Sequence, residues 1–163
     1  MIDLKASIGN DVKFWHEHLS NIGKCRIGPE CVIHSHVWIG DNVIIGSRCR
    51  IQGFTFIPEG VVIRNDVFIG PRVTFTNDKH PPGDKESWKA TMVEDHVSIG
   101  AGAVILPGVI LGTGCKIGAG AVVTKSVPAG ETWVGNPAAP LRQKPVLDRR
   151  FDPTISPTAD KWP

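Results

Sequence analysis

Apolar residues recur along this chain at a strict interval of six. From Ile27 the steps land on Ile33, Ile39, Ile45, Ile51, Ile57, Ile63, Ile69 and Phe75, then, after an interruption, on Val93, Ile99, Ile105, Leu111, Ile117 and Val123. At an apolar usage of 41%, fifteen apolar residues in fifteen steps have a chance on the order of 10⁻⁶, so the period is real. Four residues past each anchor stands a small or medium side chain, from Cys31 and Val37 through to Ala121 and Val127. Glycine follows the anchor at positions 28, 40, 46, 70, 100, 112 and 118, which suits a corner needing either positive φ or close backbone approach. A six-residue unit of short strand plus corner predicts a parallel β-helix, three units closing one triangular coil. Helical periodicity is absent, and a β-sandwich would instead show alternation with turns every 8 to 12 residues or so. Counting back from Ile27 through Asn21 and Trp15 carries the step toward the N-terminus.

The interruption is informative. Phe75 and Val93 lie eighteen apart where six would do, so twelve residues must leave the prism as a loop, within about residues 78–92. Its sequence, DKHPPGDKESWKATM, is polar with two prolines, a glycine and Trp88, a composition that favours an ordered arm. With eighteen residues to a coil, Asn77 should lie one strand spacing, about 4.8 Å, above Glu59. A carboxylate and a carboxamide then meet at the foot of the loop with Asp78 beside them, which is a candidate site.

Composition narrows the function classes. The chain has 163 residues and a net charge of +2, with no basic stripe to track a phosphate backbone, which argues against nucleic-acid binding. No signal-like segment and no apolar run of roughly 20 residues is found, so the expectation is a cytoplasmic protein without membrane association. The four cysteines show no zinc spacing and are expected to be reduced, three of them as interior packers.

The runs IGPECV, IGDNVI, IGSRCR and IGAGAV resemble the hexapeptide-repeat acyltransferases, over about residues 8–142. The resemblance implies an all-β fold, a left-handed parallel β-helix with one extruded loop and a short C-terminal tail, usually active as a homotrimer. The stretches VTFTND, VSIGAGAVILPGVILG, IGAGAVVTKSVPAG and WVGNPAAPLR look like the bacterial sugar N-acetyltransferases that acetylate the 3-amino group of a dTDP- or UDP-linked aminosugar for O-antigen and related surface glycans. By that likeness acetyl-CoA is the cosubstrate, no metal is expected, and sites form between subunits. Asn77 then lies at the reacting amine with Glu59 one coil below, and Asp78 and His80 join them as catalytic candidates. His34, His36 and Trp88 are substrate-binding candidates. The resemblance also lays CoA along the late coils, at the small edge of Gly100, Ala101, Gly118 and Ala119, with Lys125 and Arg142 for its phosphates.

Two other readings stay open. His80, followed by Pro81, would serve as general base of a sugar O-acetyltransferase, because a hydroxyl nucleophile needs one. The eighteen-residue spacings of His16 with His34 and of His18 with His36 would stack imidazoles that hold zinc across a subunit boundary, as in carbonic anhydrases on the same β-helix. The expected organisation is a β-helix domain over residues 1–137 and a cap and extended tail over 138–163, with a strand or short helix around Leu141 to Arg150.

Overall fold

The computed structural model describes residues 1–141; the tail expected beyond, Arg142 included, lies outside the described residues. The chain winds as a parallel β-helix with three faces. Strands Ser7–Ile8, Arg26–Ile27, Ile44–Ile45, Val62–Ile63, Met92–Val93 and Ile110–Leu111 make the first face. The second runs from Lys13–Phe14 through Val32–Ile33, Arg50–Ile51, Phe68–Ile69, Ser98–Ile99 and Lys116–Ile117 to Thr132–Val134, where Ala139–Pro140 folds back antiparallel. The third holds Asn21–Ile22, Trp38–Ile39, Phe56–Ile57, Thr74–Phe75, Val104–Ile105 and Val122–Val123.

From Asn21–Ile22 to Val122–Val123, each two-residue strand turns its second residue inward and its first outward. All fifteen anchors are buried, and so are the small residues four positions on, which line the corners from inside. An isoleucine fully removed from water contributes about 1.5–3 kcal/mol, so one residue per hexad drives the winding. All four cysteines are free and buried, Cys25 as well as the three at packing positions. Of the two reasons for glycine after an anchor, close approach is the operative one. A Cβ on Gly70 would lie 2.7 Å from the backbone nitrogen of Ala101 in the next coil, and one on Gly100 only 2.5 Å from that of Ala119. Positive φ falls two residues later, at corner tips such as His36, Phe54, Arg72, Gly102 and Gly120.

The first coil departs from the hexad count. Ile8 pairs with Ile27 and Phe14 with Ile33, whereas Ile22 pairs with Ile39, so the interior positions are Phe14 and Ile22 in place of Trp15 and Asn21. A 3₁₀ turn at Glu17–Leu19 absorbs extra residues between them. The register above is regular, and across the interruption Val62 pairs with Met92, Phe68 with Ser98 and Thr74 with Val104. Each pairing spans thirty residues, one coil plus the twelve-residue insertion.

Candidate functional site

The insertion leaves the prism at the corner between the third and first faces. The Asn77 carbonyl accepts the Lys89 N–H at 3.1 Å and closes its neck. Asp78 organises the loop from inside: Oδ1 accepts the His80 N–H at 2.9 Å and Oδ2 the Gly83 N–H at 2.7 Å. A 3₁₀ turn at Lys85–Ser87 then points Lys85 back at the prism, where its Nζ lies 2.6 Å from Glu59 Oε2 and 5.8 Å from the centre of the Trp88 ring. The other Glu59 oxygen accepts from Asn42 Nδ2 at 3.2 Å.

Under the loop lies an open groove of about 570 Å³ whose lining includes Glu59, Asn77, Trp88, Trp38, Phe56 and Asp41. Thr74 pairs with Phe56, eighteen residues apart, and beyond that pair Asn77 and Glu59 both line the groove. The groove floor is the outward side of the third face, where Trp38 and Phe56 stack at 4.6 Å with planes 15° apart. Sequence reasoning followed inward positions and passed over these two rings. Their signal was present, since an aromatic residue immediately before an anchor is forced outward by the strand's alternation.

The structure brings Glu59, Asn77 and Trp88 to one groove, and separates the other candidates from it. Asp78 is turned into the loop, and His80 is exposed and outside the groove lining. His34 and His36 lie at the corner between the second and third faces. There Trp15 stacks on His34 at 5.4 Å, His16 Nδ1 meets Ser35 Oγ at 2.6 Å, and His36 stacks on Phe54 at 4.7 Å. The shifted first coil therefore sets Trp15 against His34 and His16 against Ser35, in place of the expected pairing of His16 with His34. Among the described residues no group of three or more His, Cys, Asp or Glu is placed to hold a metal ion.

Gly100, Ala101, Gly118 and Ala119 do stack as one edge, at that same corner, with both alanines exposed. The Gly120 N–H donates to the Ala101 carbonyl at 2.8 Å. Lys125 is exposed on the other edge of the third face, the edge from which the loop leaves. Within the chain the small-residue edge and the groove lined by Glu59 and Asn77 thus flank a shared face without converging. No helix among the described residues is long and apolar enough to cross a membrane.

Residues 23–53 and 90–125 match the family described as bacterial transferase hexapeptide (six repeats). A candidate acetyltransferase of Schizosaccharomyces pombe is 41% identical over 112 residues, which are 64% of this chain and 54% of that protein. A UDP-3-O-acylglucosamine N-acyltransferase of Caulobacter is 35% identical over 121 residues, 74% of this chain and 27% of that one. The chain therefore spans about half, or less, of the length of these relatives. Among solved structures, a galactoside acetyltransferase in complex with coenzyme A superposes with a TM-score of 0.64 at 26% identity, covering 74% of this chain and 65% of its own.

Proposed function

We propose that this chain, a β-helix built of bacterial transferase hexapeptide repeats, is an acetyl-CoA-dependent N-acetyltransferase acting on the amino group, at C3, of a nucleotide-linked aminosugar. The observation that carries the reading is that Glu59 and Asn77 line one aromatic-floored groove beneath an ordered arm. A carboxylate attracts an ammonium, and Glu59 already holds one, from Lys85. The carboxamide of Asn77 offers both a donor and an acceptor to fix an amine's orientation. Trp38 and Phe56 supply flat apolar surface of the kind on which sugar rings rest.

Acyl transfer from a thioester needs a neutral nucleophile held in line with the carbonyl. Glu59 draws in the ammonium form, and after that ammonium passes one proton to water, the Asn77 carbonyl accepts from a remaining N–H and holds the lone pair toward the thioester. The nitrogen attacks the carbonyl carbon, the C–N bond forms, the C–S bond breaks, and the departing thiolate takes up the proton the nitrogen releases. An amine needs no strong base for this, which fits a groove without a histidine in its lining. The CoA-binding candidates at residues 100–101 and 118–119 lie across the third face from the groove, so in our reading a neighbouring copy in a homotrimer completes the site. Surface-glycan synthesis in the cytoplasm, where acetyl-CoA is available, is the setting this chemistry suits.

Likeness to a galactoside acetyltransferase favours a second reading, O-acetylation with His80 as base. The exposed place of His80, outside the groove, makes it the weaker one. Purified protein with acetyl-CoA and a panel of nucleotide-linked aminosugars, galactosides and serine, followed by mass spectrometry, decides between them. Acetylation confined to the nucleotide-linked amines supports the proposal, and acetylation confined to hydroxyl acceptors refutes it.

A further inference from the structure

The corner between the second and third faces carries side chains that the fold does not need. In the upper coils its tip is glycine, Gly102 and Gly120, both at positive φ with open space where a Cβ would stand. In the coils beside the groove the same tip holds His36, Phe54 and Arg72, at φ of 60°, 61° and 59°. Polar residues such as Asn42 and Asp66 occupy other left-handed tips, but a bulky phenylalanine there is an outlier. Phe54 is 59% exposed. Its ring stacks on His36 from one side at 4.7 Å and 13°, and the Arg72 guanidinium lies over the other side with Cζ 6.0 Å from the ring centre.

That separation is larger than a stacked contact and slightly less than two base-stacking intervals, about 6.8 Å. An arginine on a flexible, exposed stem closes the difference by moving about 1 Å. We propose that the slot between Phe54 and Arg72 takes the base of a nucleoside diphosphate, sandwiched between an aromatic face and a guanidinium plane that also reaches the diphosphate. His36 backs the ring from beneath. The inference rests on the aminosugar reading and adds the part of the substrate that reading left unplaced. Phe54, Phe56 and Glu59 are consecutive features of one coil. Five residues span at most about 17 Å, within reach of an extended nucleoside diphosphate sugar. Base at Phe54, sugar over Trp38 and Phe56, and amine at Glu59 and Asn77 then follow the covalent order of such a molecule.

Calorimetric titration of the full chain with dTDP, UDP and GDP tests this without requiring transfer. Wild-type protein should bind at least one of them, and Phe54→Ala and Arg72→Ala should each weaken that binding about 10- to 100-fold. Phe54→Trp should retain it, and CoA affinity should be unchanged in all three variants. Absence of binding to all three diphosphates, or unchanged affinity in both alanine variants, overturns the slot. So does a change of sedimenting mass in Phe54→Ala, which would assign the ring to a contact between copies. If the protein acetylates some other acceptor, nucleoside diphosphate binding at Phe54 and Arg72 still reports on the slot alone.

Discussion

Glu59 faces two ammonium groups in this reading, the Lys85 side chain and the acceptor, and the two are separable by mutation. Lys85→Met removes the ion pair to Glu59 while keeping a long apolar stem near Trp88. The Lys85 side chain is 66% exposed, so the pair belongs to the class worth about 0–1 kcal/mol, a factor of five at most. Because Lys85 competes with substrate for the same carboxylate, KM for the aminosugar should stay level or fall by up to about fivefold. Glu59→Gln keeps the shape and removes the charge. Charge-assisted hydrogen bonds contribute about 1.5–3 kcal/mol, so kcat/KM should drop about 10- to 150-fold. Steady-state rates from thiol release, with thermal melts to confirm folding, measure both. Equal losses in the two variants would mean that Glu59 serves to anchor the loop, and the acceptor role would fall.

His80→Ala should keep most of kcat with an aminosugar, whereas a loss of about 10²- to 10⁴-fold would reinstate the O-acetyl reading. Gly70→Ala should cost about 1–3 kcal/mol in urea unfolding, because its Cβ would press on the backbone of Ala101, Ile99 and Gly100. Gly102→Ala meets nothing and should cost only the roughly 1–2 kcal/mol of left-handed backbone; the reverse order would contradict the packing argument. Burial pushes the Cys25 and Cys115 thiols up to about 11 from an ordinary 9.0. Since the folded values exceed the unfolded one, that stabilisation is complete below pH 9 and is lost as pH rises toward 11. The urea midpoint should fall across this window, and a Cys25→Ala, Cys115→Ala double variant should flatten the fall.

The repeat was readable because each hexad answers to one physical demand, a buried residue per strand, from Ile27 through Val123. The same arithmetic led to Glu59 and Asn77, which line one groove, since stacking turns sequence distance into neighbourhood. The first coil resisted it because Phe14 to Ile22 is longer than a hexad and Ile22 to Ile27 is shorter. No local signal marked the 3₁₀ turn that takes up the difference, and the histidine pairing failed with the register. Asp78 was assigned by proximity along the chain, but its carboxylate satisfies the backbone N–H groups of His80 and Gly83, a demand created by the loop's own shape. Trp38 and Phe56 escape the period because it records what faces inward, while the groove is lined by what faces out.

The central claim is that Asn77 and Glu59 act as one unit on the acceptor amine, and a double-mutant cycle tests it most directly. Asn77→Ala and Glu59→Ala should each lower kcat/KM for the nucleotide-linked aminosugar strongly while CoA affinity, read by calorimetry, stays near wild type. The double variant should lose less than the product of the two single losses, as contacting residues do. Strictly multiplicative losses, or an Asn77→Ala enzyme with undiminished turnover, would contradict the assignment.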